Sequence, residues 1–125
     1  MKNLPESIRT AWATREGPIV LATVDASGVP NAIYATCVQM HEEDAMVVAD
    51  NYFHKTRANI AAGSRGSLLF ITKEGKSYQL KGRFEYHISG PVFDAMKQWN
   101  PAKLPGVAAA VLRVDNIYSG GEQIV

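Results

Sequence analysis

Residues 78–93 read YQLKGRFEYHISGPVF. Tyr78, Leu80, Gly82, Phe84, Tyr86 and Ile88 alternate strictly with Gln79, Lys81, Arg83, Glu85 and His87. A period of two puts one face of an extended strand in a core and leaves the other wet or paired. That is the pattern of a half-buried antiparallel strand. Ser89-Gly90-Pro91 then opens a helix that runs to about Trp99, with Val92, Phe93 and Met96 on its apolar side.

The segments on either side fit the same sheet. Downstream, NPAKLPG (100–106) breaks the helix, and 107–118 makes a last strand. Upstream, KEGK (73–76) is a turn after a strand at 67–72, and 55–62 reads as a short helix ending at Gly63. A short strand at 45–49 follows HEED (41–44), a charged turn; Glu42, Glu43 and Asp44 read as its solvated side chains. An extended segment covers 29–40, the turn DASG (25–28) precedes it, and 19–24 is a β-branched-rich strand. At the start, Leu4, Ile8 and Trp12 share one helical face, with Pro5 near the beginning and Gly17 past the end. Six strands in hairpin succession with short helices predict a mainly β, antiparallel sheet rather than βαβ units. Closure into a small barrel would remove the exposed edges.

Composition narrows the function classes. A chain of 125 residues, 46% hydrophobic and 20% charged, predicts one globular domain over 1–125. Thirteen Lys and Arg against twelve Asp and Glu leave a net charge of +1. That balance argues against a broad nucleic-acid-binding field, so no nucleic acid partner is expected. A single cysteine, Cys37, excludes an internal disulfide framework and reads as a core thiol. No secretory core precedes Gly17, and the longest apolar run, 107–112, is far short of a membrane span. The expectation is a soluble, cytoplasmic protein without a membrane partner.

The stretch MVVADNYFHKTRANI (46–60) is the best place for chemistry: a strand, a polar loop, then a helix opening near His54, Lys55 and Thr56. Free amides at a helix start beside a hydroxyl and an ammonium suit a phosphate. The same residues also fit a capped surface helix with solvated Lys55 and Arg57, and local sequence leaves both open. His41, His54 and His87 have no metal-ligand spacing, so no metal is expected. The serines lack a nucleophile-elbow context, and there is no P-loop. Tyr78, Phe84 and Tyr86 read as barrel core.

Taken together, GVPNAIYAT (28–36), ADNYFHKTRANI (49–60) and the alternating 78–93 stretch resemble the flavin-binding split-barrel family of pyridoxamine 5′-phosphate oxidase, closest to its short stand-alone FMN-binding members. The likeness covers roughly 8–114 and implies a six-stranded antiparallel split β-barrel with flanking helices. It also implies a homodimer with FMN between subunits, and an FMN-dependent oxidoreductase or electron-transfer role. By resemblance, Lys55 and Thr56, next to His54, hold the flavin phosphate. Asn31, Ile33, Tyr34, Ala35 and Thr36 run along the ribityl chain and ring, and Ala49, Asp50 and Asn51 lie against the ring. Ser77 and Gln79 sit where the other subunit's strand approaches, and Trp99 lies near the ring at a helix exit. Two departures count against pyridoxamine phosphate oxidation itself. Ile33 stands where those enzymes carry a phosphate-binding Arg, and the chain reaches Val125 without their Arg-x-His motif. A haem- or deazaflavin-binding reductase on the same fold, or a cofactor-free ligand-binding module, are the alternative readings.

Overall fold

The computed structural model describes residues 3–42 and 44–125. In chain order it contains helix α1 (Glu6–Ala13), strands β1 (Ile19–Val24), β2 (Pro30–Ala35), β3 (Val38–His41) and β4 (Ala45–Asp50), and helix α2 (Lys55–Ala61). Strands β5 (Arg65–Ile71) and β6 (Ser77–His87), helix α3 (Pro91–Trp99), and strands β7 (Ala108–Ser119) and β8 (Glu122–Gln123) complete it. All pairs are antiparallel, in the order β2-β1-β5-β6-β7-β4-β3, with β8 beside β7.

The six expected strands are present, with two refinements. The extended segment 29–40 is divided, because its halves join opposite edges of the sheet. Ile33 of β2 pairs with Leu21 of β1, whereas Met40 of β3 pairs with Met46 of β4. Only Thr36 and Cys37 lie between them, so the sheet curls into a half-barrel whose two edges meet. The second refinement is β8, folded back on β7 through the turn at Gly120 and Gly121.

The concave face of the sheet carries the main core. Leu21, Leu68, Leu80, Leu112 and Ile117 are fully enclosed there. The expected stripe of α1, Leu4, Ile8 and Trp12, seals one side of this core. The Trp12 ring meets Phe70 edge-on at 5.1 Å between centroids, and Phe70 stacks on Tyr78 at 5.4 Å. Burying a side chain of this size contributes ~1.5–3 kcal/mol, so α1 is held mainly by packing. A second cluster joins Val92 and Met96 of α3 to Ala45, Val47 and Ala49 of β4 and Ala109 and Val111 of β7. Strand β4 is therefore covered on both faces, which explains its unbroken apolar reading.

Strand β6 shows the expected alternation as far as Tyr86, with Leu80 and Gly82 buried and Lys81, Arg83 and Glu85 exposed. Ile88 is a correction. It lies beyond the strand end and is 69% exposed, because the chain turns at Gly90 (φ +93°) toward α3. The acidic turn is also less solvated than its composition suggests. Arg113 of β7 holds Asp44 at 3.0 Å and approaches Glu42 at 3.6 Å, while Glu43 lies outside the described residues. No described helix is long and apolar enough to cross a membrane.

Two glycines are dictated by close approach. The register shifts between Lys81 and Gly82, and a Cβ at Gly82 would lie 1.7 Å from the Arg113 carbonyl oxygen. A Cβ at Gly66 would meet the Phe84 ring at 2.2 Å. Gly82→Ala is expected to destabilise by at least about 2 kcal/mol, because backbone must move. Gly66→Ala should be partly rescued by Phe84→Leu, since a side chain can give way. Urea denaturation of the single and double variants checks both; a neutral Gly82→Ala would contradict the register.

Candidate functional site

The site begins where β4 ends. Asp50 is fully buried at the last position of that strand. Its Oδ1 accepts hydrogen bonds from the Phe53 amide (3.0 Å) and Arg57 Nη2 (2.9 Å). Its Oδ2 accepts from Arg57 Nε at 2.8 Å and from the Tyr86 hydroxyl at 2.5 Å. One carboxylate thus ties β4, the loop 51–54, α2 and β6 together. A buried charge is tolerable only when paired and fully hydrogen-bonded, and this one is. Burial first, then the bond to Asp50, push the Tyr86 phenol up to about 12, and the same carboxylate raises the Arg57 guanidinium. The carboxylate of Asp50, one of the residues expected against a ring, is taken up within the chain.

A cleft of about 390 Å³ opens beside this junction, along the seam between β2 and β3. Ile33, Tyr34, Ala35 and Thr36 line it from the β2 side, and Ala49 and Asn51 from β4 and its exit. These six are among the residues assigned to a ribityl chain and ring, and the fold brings them to one surface. Cys37, Tyr52, Phe53 and Leu104 complete the lining and were not expected there. Cys37, expected as a core thiol, is only half-buried and faces the cleft because it sits in the two-residue link between the sheet's edges. Tyr34 and Tyr52 are 77% and 75% exposed at the walls.

The Asn51 side chain is turned to the loop that follows α3. Its Nδ2 donates to Asn100 Oδ1 at 3.1 Å, Asn100 Nδ2 donates back at 2.8 Å, and the Gly106 amide donates to Asn51 Oδ1 at 2.9 Å. The Val107 amide donates to the Asp50 carbonyl (2.9 Å), and Lys97 Nζ donates to the Pro105 carbonyl at 2.9 Å. This fastening sets Leu104 against the cleft.

Helix α2 leads away from the same junction, with His54 before it and no side chain capping its first turn. Lys55 is exposed and borders a second hollow of about 290 Å³, together with Asn31, Asp25 and Asn59. Thr56 is not on that surface. It is 1% exposed, and its Oγ1 accepts a hydrogen bond from Asn31 Nδ2 at 3.3 Å. Thr56 thus orients Asn31, and Asn59 Nδ2 donates to Thr23 Oγ1 at 2.9 Å to dock the helix on β1.

The other expected residues lie elsewhere. Ser77 and Gln79 are at the start of β6; Ser77 pairs with Ile71, and Gln79 is on a row that runs Tyr34, Val20, Leu69, Gln79, Tyr118 in register across five strands. Trp99 packs with Cys37 and Phe93 around the second core cluster. His41 and His87 pair with Glu42 (3.3 Å) and Glu85 (2.9 Å), and Arg113 lowers the Glu85 carboxyl through their hydrogen bond.

Comparison with known proteins gives a consistent picture. The family model described as pyridoxamine 5′-phosphate oxidase matches residues 4–119. An uncharacterized protein of Methanocaldococcus jannaschii is 29% identical over 106 residues, covering 81% of this chain and 71% of that one. Among solved structures, HupZ of Group A Streptococcus superposes with a TM-score of 0.80 at 22% identity, covering 93% of each chain. An FMN-binding protein of Syntrophomonas wolfei gives 0.69 at 17% identity, covering 91% of this chain and 95% of that one. An F420 reductase gives 0.68 at 15% identity, covering 92% and 98%. At these identities the structural likeness is one of fold.

The junction at Asp50 makes a testable pair of outcomes. The neutral Tyr86 phenol is favoured in the folded state. Its contribution to stability is fully present below pH ~10, the ordinary tyrosine value, and is lost as pH rises through about 12. In an alkaline titration followed by near-ultraviolet absorbance, Tyr86→Phe should remove a phenol that ionises near pH 12. Asp50→Asn should destabilise by about 1.5–3 kcal/mol, because the buried carboxylate's charge-assisted hydrogen bonds from Arg57 and Tyr86 are weakened or lost. Identical titrations of wild type and Tyr86→Phe would contradict the arrangement.

Proposed function

The chain belongs to the pyridoxamine 5′-phosphate oxidase family, and from that premise we propose that it is an FMN-binding protein with an oxidoreductase or electron-transfer role. The observation that carries the reading is the cleft itself. Six residues assigned by resemblance to the flavin line one largely apolar surface, and strand β2, which supplies three of them, also carries Asn31 to the second hollow bordered by the exposed Lys55. A bound flavin would supply hydride or electron transfer, with the protein contributing position and electrostatics. The residues present fit such a group. Ile33, Ala35 and Ala49 offer a flat, apolar wall, the seam at Thr36 and Cys37 offers backbone groups, and Lys55, on the second hollow, offers a positive charge for a phosphate. With Asp50 and Thr56 occupied inside the fold, Lys55, Asn31 and the exposed His54 are the expected side chains left for the phosphate end.

Pyridoxamine phosphate oxidation is not the proposed reaction, since Ile33 brings no charge to the cleft wall. The F420 reductase likeness supports a second reading, a deazaflavin in the same cleft. A homodimer is also proposed. Tyr34, Leu69 and Ile71 are large exposed apolar residues on the outer face of β2 and β5, and a second copy would cover them beside Ser77 and Gln79.

Two measurements test this. Lys55→Ala removes a charge-assisted contact worth ~1.5–3 kcal/mol, so FMN should bind roughly ten- to more than a hundredfold more weakly. Riboflavin, which has the ring and no phosphate, should be unaffected. Thr56→Ala should weaken FMN less, through the loss of Asn31 orientation. Equal losses for FMN and riboflavin in Lys55→Ala would remove the phosphate assignment. Light scattering should give twice the 13.6 kDa chain mass, with Leu69→Lys shifting it toward the monomer. A monomeric wild type that still binds flavin tightly would contradict the dimer.

A further inference from the structure

The loop 100–107 is fastened more firmly than a surface connection requires. Asn100 is 5% exposed and exchanges two hydrogen bonds with Asn51, whose Oδ1 also takes the Gly106 amide. Lys97 Nζ reaches the carbonyls of Pro105 and Gly106 at 2.9 and 3.3 Å. Gly106 has φ +47°, and a Cβ there would meet Asn100 Nδ2 at 2.9 Å and Lys97 Nζ at 3.1 Å. A buried amide side chain and a half-buried one satisfying each other favour a single geometry, because any other leaves the buried Asn100 amide unpaired. What this fastening presents to the cleft is one side chain, Leu104, the only lining residue from outside 33–53 among the described residues.

We propose that the Asn51–Asn100 pair holds the 100–107 loop as a fixed wall of the cleft, and that Leu104 on that wall packs against the apolar edge of the bound ring and limits which ring systems fit. This rests on the flavin reading for the identity of the ring, but not for the existence of the wall. Asn51 acts here as a positioning residue, and Leu104 as the contact. A half-buried leucine at the open side of a cleft adds affinity by removing apolar ring surface from water, whatever the charge of the ligand's tail. Leu104 should therefore affect riboflavin and FMN alike, unlike Lys55.

The test uses the full chain and two probes. By fluorescence titration, Leu104→Ala should weaken riboflavin and FMN by the same factor, about five- to tenfold, and Leu104→Met should restore most of it. Asn100→Ala should reproduce the loss, and the double variant should be no weaker than Leu104→Ala, because both remove one contact. Unchanged affinities in Leu104→Ala, or additive losses in the double variant, would overturn the proposal. The second probe is independent of flavin. Cys37 is the only cysteine and shares the cleft with Leu104. Its alkylation by iodoacetamide in the ligand-free protein should be several-fold faster in Leu104→Ala and in Asn100→Ala. Equal rates in all three proteins would show that the loop does not wall the cleft. A wild type that binds neither flavin would overturn the flavin reading alone, and the thiol rates would still decide the wall.

Discussion

Strands β2 and β3 are the two edges of one sheet, yet only Thr36 and Cys37 separate them along the chain. Laid flat, a path of seven strands would place those edges about 29 Å apart. Two linking residues reach only about 10 Å. The sheet must curl until its edges meet, and everything else follows from that closure. The concave face becomes the core under α1, and the convex face of β4 and β7 is left for α3. The two edges come together without a β2–β3 pairing among the described residues, and the cleft lies along the seam between them. The site is thus the seam of the barrel, lined by the link itself.

A seam between two edges needs something to set its width, and here polar groups do so. Asp50 stands at the end of β4 and binds α2, β6 and the 51–54 loop through one carboxylate. Asn51, the next residue, binds the loop after α3. Neighbouring residues at a strand end thereby fix opposite walls of the same opening. Hydrophobic packing is non-directional and would tolerate several widths, whereas a saturated carboxylate and a reciprocal amide pair tolerate one.

Local pattern carried much of this fold. The alternation of Tyr78 to Tyr86, the stripe of Leu4, Ile8 and Trp12, and the breaks at Gly63 and Pro91 each have a short-range physical cause, so each could be read before any coordinates. The division of 29–40 could not, since it depends on which edges Ile33 and Met40 join. The site separates in the same way. Ile33 to Thr36 and Ala49 line one cleft, whereas the inward turn of Asp50 and Thr56 depends on partners across the fold, Tyr86 and Asn31. Leu104 was invisible because its placement rests on a contact between Asn51 and Asn100, 49 residues apart. Its one local trace was the unusual density of Pro and Gly in 100–106, which marks a constrained loop without saying what it faces.

The central claim is that this seam takes a flavin. The direct measurement is the visible absorption spectrum of the protein as purified, and again after loading with excess FMN and gel filtration. The account predicts the bands of an oxidised flavin travelling with the protein peak, in fixed proportion to chain. A protein that stays colourless through both steps, and leaves the fluorescence of added FMN unchanged, would contradict it.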